Sequence, residues 1–87
     1  MTTGKQLPTV AQMTKRSTVA TRFVLVDIER TGTPFREGMA KHTRASVVRQ
    51  LKTLQTWRCV NHLVGYKWEL TPRGWALLHQ LDKGRMS

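Results

Sequence analysis

The chain has 87 residues, and its 15 Lys and Arg residues against 5 Asp and Glu give a formal net charge of +10 at pH 7. This length leaves room for one domain. Cys59 is the single cysteine, which excludes an internal disulfide or a zinc site built from cysteines and fits a reducing compartment. No apolar run approaches the roughly 20 residues of a membrane span, and residues 1–10 do not resemble a signal peptide. We therefore expect a soluble, cytoplasmic protein.

The excess of positive charge predicts a polyanionic partner, because neutralising phosphates releases the counterions condensed on a nucleic acid. Basic surfaces also suit acidic membranes and acidic proteins, but the sequence shows no basic amphipathic surface helix, so nucleic acid is favoured. Nine of the fifteen basic residues are arginine. The planar guanidinium can bond a guanine edge through two N–H groups, which favours sequence-specific readout.

The first 16 residues predict a flexible basic arm, because they combine Gly4, Pro8 and scattered threonines without a sustained apolar period. The part from Thr9 onward would alternatively extend the first helix. The folded domain is expected over residues 17–82, with a short C-terminal tail over 83–87. The arm would add diffuse phosphate contacts or enter a minor groove, or it would be only an unstructured tail.

Three helices are predicted before residue 58. The first begins at Ser17 or Thr18 and ends at Gly32, although its β-branched run over 23–26 would also fit a buried strand. Thr33-Pro34 pairs a capping residue with a proline and predicts a short second helix over 34–41, with Phe35 and Met39 facing inward. The third helix follows Thr43, spans about 44–57 and carries the longest amphipathic pattern of the chain.

Beyond the third helix the apolar period changes from 3.6 toward 2. This alternation predicts two short strands, 59–63 and 66–70, joined by a two-residue tip at Val64-Gly65. Thr71-Pro72 then starts a last helix that runs to about residue 81. Its wide apolar face, which includes Trp75, would form a homodimer contact or complete the core of the chain itself. The predicted fold is therefore mainly α with a small β-hairpin, an α+β fold in the order α-α-α-β-β-α.

This order is the plan of a winged helix-turn-helix, and residues 18–82 resemble bacterial winged-helix regulators of the MarR, ArsR and PadR kind. The similarity lies in Val47-Val48-Arg49-Gln50-Leu51-Lys52-Thr53-Leu54, which looks like the core of a recognition helix. It lies also in Tyr66-Lys67-Trp68-Glu69-Leu70-Thr71-Pro72-Arg73-Gly74, a strand that ends in Leu-Thr-x-x-Gly. The regulators usually carry glycine near position 58, so Arg58 implies a local difference where the third helix ends. The wing is short, and the long dimerisation helices of the MarR type are missing.

The resemblance implies that the third helix enters the major groove of duplex DNA. The residues expected to contact bases are Arg44, Ser46, Arg49, Gln50 and Thr53. The residues expected to contact phosphates, which position the protein without reading sequence, are Lys41, His42, Thr43, Lys52, His62, Lys67 and Arg73. The simpler interpretation of both sets is an ordinary solvated surface.

Other candidate sites have weaker support in the sequence. The tryptophans Trp57, Trp68 and Trp75 are expected to pack in the core rather than to stack on bases, and Cys59 is expected to be a small buried residue. The histidines have no metal-ligand spacing, the acids form no catalytic pair, and no glycine-rich phosphate loop occurs. We therefore expect no metal, no cofactor and no enzymatic activity.

The sequence thus predicts a DNA-binding protein, most simply a small transcriptional regulator associated with the nucleoid. Winged helices also serve as protein–protein modules, so the alternative is a factor that docks on replication or transcription machinery. Binding of structured RNA is a third possibility that the excess of arginine over lysine disfavours.

Overall fold

The computed structural model describes residues 7–86, and the side chains among them through residue 83. The elements are α1 (Val10–Arg16), α2 (Val19–Thr31), α3 (Lys41–Thr56), β1 (Val60–His62), β2 (Trp68–Leu70) and α4 (Pro72–Met86). The predicted α+β class and the order α-α-α-β-β-α are confirmed, but the helices that fill this order are not all the predicted ones. Residues 1–6 of the predicted arm and Ser87 lie outside the described residues.

Residues 10–16, which the sequence placed in a flexible arm, form helix α1. The Thr9 hydroxyl accepts a hydrogen bond from the backbone N–H of Gln12 at 3.1 Å, and the Gln12 side chain accepts one from the N–H of Thr9 at 2.9 Å. This reciprocal cap satisfies two free backbone donors. Met13 is completely buried, and α1 packs against α4. Two turns contain too few apolar positions to show a period, which explains why the sequence gave no clear sign of this helix.

Helix α2 follows the predicted first helix closely and excludes the alternative of a buried strand. Thr18 caps its N-terminus, and its apolar face buries Val24, Leu25 and Ile28. Gly32 ends it in the left-handed conformation (φ 82°) that the sequence led us to expect. The Phe23 side chain, by contrast, is half exposed.

The predicted second helix over 34–41 is wrong, because residues 32–40 form an irregular connection. The Thr33 hydroxyl accepts a hydrogen bond from the N–H of Phe35 at 3.2 Å, so it closes a tight turn instead of capping a helix. Gly38 has a positive φ of 80°, which interrupts any helix begun at Pro34. Phe35 and Met39 nonetheless pack against the core as expected.

Helix α3 begins three residues before the predicted start at residue 44, so Thr43 lies inside its first turn and does not cap it. Ala40 occupies the N-cap position. At the other end Arg58 adopts a left-handed conformation (φ 59°), the conformation that a glycine would supply. The N–H groups of Arg58 and Cys59 bond the carbonyls of Gln55 and Leu54 at 2.9 and 2.8 Å. The helix therefore ends with the usual C-cap hydrogen bonds although no glycine is present. The local difference expected at Arg58 is a strained backbone conformation of that residue and not another path of the chain.

Strands β1 and β2 form an antiparallel pair with Val60 opposite Leu70 and His62 opposite Trp68. Both strands are shorter than predicted, and the loop over 63–67 replaces the two-residue tip. The carbonyl of Gly32 accepts a hydrogen bond from the N–H of Trp68 at 2.7 Å. The end of α2 thus occupies part of the free edge of β2, an edge that would otherwise expose unpaired backbone groups.

Helix α4 continues to Met86, through residues 83–86 that the sequence assigned to a tail. Leu77 and Leu78 are buried in the core of the chain itself, whereas Trp75 is 51% exposed and does not pack as predicted. Gly74 allows a close approach, because a Cβ at this position would lie 2.1 Å from the carbonyl oxygen of Cys59. The glycine of the Leu-Thr-x-x-Gly pattern is therefore required where α4 crosses the start of β1.

Candidate nucleic-acid interface

One side of α3 carries exposed cations, and we call it the outer face. Its members recur three and four residues apart, so they line one side of the helix. All of them are exposed: Lys41, Ala45, Val48, Arg49, Lys52 and Thr56. The opposite side of α3 buries Val47, Leu51 and Leu54 in the core. The core thereby fixes the direction in which the outer face points.

No carboxylate lies on α3, because the helix contains neither Asp nor Glu. Two of the five acids of the chain are held in ion pairs elsewhere: Asp27 pairs with Arg36 at 2.6 Å, and Asp82 pairs with Arg22 at 2.7 Å. The second pair links α2 to α4. The charges of Lys41, Arg49 and Lys52 are thus uncompensated within their own helix, which leaves them available to an anionic ligand.

The five residues expected to contact bases do not share one face. Arg49 and Thr53 are exposed on and beside the outer face. Ser46 and Gln50 are half-buried on the side of α3 that faces α2, and the Gln50 side chain accepts a hydrogen bond from the Thr21 hydroxyl at 2.7 Å. Gln50 therefore joins two helices of the fold, and its carbonyl oxygen is already engaged.

Arg44, the fifth of these residues, lies on the flank of α3 nearest the hairpin. Its guanidinium carbon lies 5.2 Å from the centre of the Phe35 ring, within the range of a cation–π contact. The Phe35 ring in turn meets the Tyr66 ring edge to face, with 5.7 Å between the ring centres. One aromatic ring from the 32–40 connection thus joins the first turns of α3 to the hairpin loop.

Of the residues expected to contact phosphates, the four on α3 are exposed: Lys41, His42, Thr43 and Lys52. Lys67 is exposed at the end of the hairpin loop. His62 stacks on Trp68 with 4.4 Å between ring centres, and its Nε2 lies 2.6 Å from the carbonyl oxygen of Gly65. Within the hairpin, His62 therefore has a structural role.

Arg73 is half-buried and tied to the protein backbone. Its Nε donates to the carbonyl oxygen of Trp57 at 2.9 Å, and its Nη2 donates to the carbonyl oxygen of Pro8. Nη2 also lies 3.6 Å from the Met13 sulfur. Arg73 thus fastens the segment before α1 to the end of α3, away from the outer face, through its Nε and Nη2 groups.

The N-terminus of α3 carries no side-chain cap among the described residues, because Ala40 has no hydrogen-bonding side chain. The first N–H groups of a helix lack partners within the helix and carry a partial positive charge. Lys41 and Arg44 surround this end with further positive charge, and His42 adds an exposed imidazole. The first turn of α3 therefore brings N–H groups that have no partner within the helix close to cationic side chains.

Val48 and Ala45 were not predicted as site residues, yet both are exposed on the outer face, Val48 to 40%. In the sequence Val48 lies next to the apolar stripe of α3 and could belong to it. The helical period alone does not show that the stripe is centred on Val47 and Leu51, which leaves Val48 exposed. Their apolar side chains lie between cations, so the outer face offers both charged and methyl groups.

Cys59 and two of the tryptophans belong to the core. Trp57 is buried, Trp68 is half-buried, and Cys59 is fully buried with its sulfur 3.5 Å from the Met13 sulfur. Burial raises the pKa of the Cys59 thiol to about 11, against a smaller lowering by the nearby Arg73 charge. Cys59 is therefore a protonated packing residue at neutral pH.

Within residues 7–86 no three His, Cys, Asp or Glu side chains come together as a metal site would require. In the same part of the chain no helix is long and apolar enough to cross a membrane. No protein-family model, curated protein or solved structure matches the chain. The resemblance to winged-helix regulators therefore stays a prediction that rests on the quoted residues.

Proposed function

We propose that this protein binds double-stranded DNA in a sequence-specific manner, as a small transcriptional regulator of the winged helix-turn-helix type. The observation that carries the proposal is the outer face of α3, a helix free of acids whose exposed cations point away from the core. A major groove about 12 Å wide admits one α-helix. The hairpin beside Arg44 would then lie along the flanking backbone, where a wing is expected.

Arg49 is the residue to which we assign base readout, because its exposed guanidinium can bond O6 and N7 of one guanine together. Arg44 and Thr53 flank it on the two sides of the outer face and would contact neighbouring base edges. Val48 and Ala45 present methyl groups of the kind that contact the C5-methyl of thymine. Mixed guanine and thymine recognition follows from this combination.

Phosphate contacts are assigned to exposed side chains at the ends of this surface that can donate hydrogen bonds to phosphate oxygens. Lys41 and His42, together with the first N–H groups of α3, would hold one backbone segment, and Lys52 would hold the next. Lys67 extends the same role to the hairpin. These contacts set the register of the protein on the duplex, and they make the affinity dependent on salt.

The decisive experiment selects bound duplexes from a randomised pool and then titrates the recovered duplex by fluorescence anisotropy at several NaCl concentrations. Arg49→Gln is the test variant, and Arg16→Gln on α1 is the matched control, since it removes the same charge from an exposed site on another helix. Arg49→Gln should weaken binding by about 1–3 kcal/mol and relax the preference at one base pair. Arg16→Gln should keep the preference.

Two results would contradict the proposal. Failure of the wild-type protein to bind any duplex at about 50 mM salt would exclude DNA binding, because non-specific phosphate contacts alone are strong under these conditions. Equal losses in Arg49→Gln and Arg16→Gln, with unchanged base preference, would leave a non-specific polycation and would overturn the assignment of α3 as the reading helix.

One feature favours the alternative of a protein-docking module. An apolar groove of about 290 Å³ lies between α2, the 32–40 connection and α3, and the half-exposed Phe23 lines it together with Met39 and Val47. It opens where a second helix was predicted. If no duplex binds, this groove becomes the leading candidate for the functional surface.

A further inference from the structure

The hairpin loop exposes apolar side chains at its tip. Leu63 is 45% exposed, Val64 88% and Tyr66 66%, and the residue between the last two is Gly65. Loop tips ordinarily carry Gly, Asn, Asp, Ser or Pro, because these residues suit turns and remain solvated. Three adjacent large apolar side chains in water lower solubility and contribute little to the core, so their presence indicates a binding role.

The tip is held in one conformation by contacts on both sides. The backbone N–H of Leu63 donates a hydrogen bond to the carbonyl oxygen of Lys67 at 2.8 Å. The N–H of Lys67 donates one to the carbonyl oxygen of Val64 at 3.1 Å. The His62 ring stacks on Trp68 and contacts the carbonyl of Gly65 at 2.6 Å. The Tyr66 ring rests against Phe35. These contacts fix the conformation of the loop from which the Val64 side chain projects into solvent.

The tip lies beside the first turns of α3, because the Phe35 ring contacts both the Arg44 guanidinium and the Tyr66 ring. Arg36, Arg44 and the acid Glu37 line the shallow groove between them, and Lys67 follows the tip in sequence. Arg36 is paired with Asp27, so the charges that remain around the tip are those of Arg44, Lys67 and Glu37. Their excess is positive, which favours a polyanion as the occupant.

We propose that residues 63–66 form an apolar wedge that enters the minor groove next to the major groove occupied by α3. This inference rests on the proposed function. Val64, as the most exposed residue, would lie at a base step and partly unstack it, with Leu63 and Tyr66 against the walls of the groove. The duplex would then kink toward the major groove, as apolar wedges of other minor-groove proteins cause.

The free energy of inserting such a wedge depends on the DNA sequence at the base step. Unstacking a base step costs energy, which burial of the tip and a closer approach of the backbone to Lys67 and Arg44 would offset. Pyrimidine–purine steps such as TA unstack most easily. A preference for such a step beside the site read by α3 follows, without a hydrogen bond to its bases.

The test uses the duplex recovered by selection, about 30 base pairs long and labelled at its two ends with a donor and an acceptor dye. Energy transfer reports bending, and anisotropy on the same sample reports binding. Val64→Thr replaces a methyl by a hydroxyl with little change of shape. Val19→Thr makes the same change at the exposed first residue of α2 and serves as the control.

The wild-type protein and Val19→Thr should both bend the duplex. Val64→Thr should bind about tenfold more weakly and leave the duplex straighter, while its unfolding in urea stays like that of the wild type. If the wild-type protein binds without bending, or if Val64→Thr bends as strongly as the wild type, the wedge is wrong and DNA binding stands. If the wild type binds no duplex at all, the proposed function and the wedge both fail.

Discussion

Arg58 is held in a left-handed backbone conformation (φ 59°) at the end of α3. The conformation is imposed from both sides: the carbonyls of Leu54 and Gln55 accept bonds from the two N–H groups that follow Trp57, and the carbonyl of Arg58 accepts one from the Thr71 hydroxyl at 2.6 Å. For a residue with a Cβ this region costs about 1–2 kcal/mol. The exit from α3 therefore stores strain that the surrounding hydrogen bonds compensate.

Arg58→Gly should relieve this strain. Glycine adopts a positive φ freely but loses more entropy on folding, so we expect the free energy of unfolding to rise by about 0.5–1 kcal/mol. Urea denaturation followed by tryptophan fluorescence measures the change. Arg58→Ala is the matched control, because it removes the same charge and keeps the Cβ. Equal stability of the glycine and alanine variants would show that the gain, if any, arises from charge and not from the backbone.

The candidate site could be predicted from the sequence in part, and the failures at single residues have a common cause. Helical period identifies the apolar stripe of α3, so Arg49 and Thr53 are predicted on the exposed side, where the structure has them. Gln50 is predicted there too, although its side chain bonds Thr21 of α2. Which flank of a helix faces a neighbour depends on the crossing of the two helices, and a single amphipathic pattern does not contain that information.

At the scale of elements, the same limit applies to the helices before α3. The Thr-Pro pattern at residue 33 satisfies the rules for a helix start, yet the Thr33 hydroxyl closes a turn and Gly38 ends any continuation. Helix α1 has few apolar residues, but packing of Met13 beside Cys59 stabilises it. Short elements obtain most of their stability from tertiary contacts, so sequence predicted the long α2, α3 and α4 better than the short pieces.

The missing cap of α3 provides a prediction at this scale. Ala40 has the extended backbone (φ −65°, ψ 152°) of an N-cap residue but no oxygen to offer. Ala40→Ser and Ala40→Asp should each raise the free energy of unfolding by about 1 kcal/mol, because the new side chain accepts a bond from a free N–H group. Urea denaturation checks this increase in both variants.

The two variants should differ in DNA binding. Aspartate adds a negative charge where Lys41, His42 and the helix N–H groups would hold a phosphate, so Ala40→Asp should weaken duplex binding about tenfold. Serine adds no charge, and Ala40→Ser serves as the control for the cap itself. Anisotropy titration of the selected duplex measures both. An aspartate variant that binds as tightly as the serine variant would place the phosphates away from this end of α3.

At the scale of the whole molecule, the residues that form the core and the residues that carry the positive charge of the outer face are separate sets. The core is a single cluster that takes residues from all four helices and from β1, and it needs none of the cations of the outer face. Those cations lie in solvent on one side of a small molecule whose radius of gyration is 13.1 Å, so they and the other cations of the chain repel one another. A surface that attracts a polyanion is therefore also a surface that repels itself, and the free protein carries that cost.

Salt should consequently act in opposite directions on folding and on DNA binding. The screening length falls from about 30 Å at 0.01 M to about 10 Å at 0.1 M, hence from more than the radius of the molecule to less. The free energy of unfolding should rise over this range as repulsion within the +10 chain is screened, and it should change little above it. Duplex affinity should fall throughout. Urea denaturation and anisotropy at matched NaCl concentrations measure the two trends, and a fold that weakens with added salt would show that attractive ion pairs, such as Arg22–Asp82, outweigh the net repulsion.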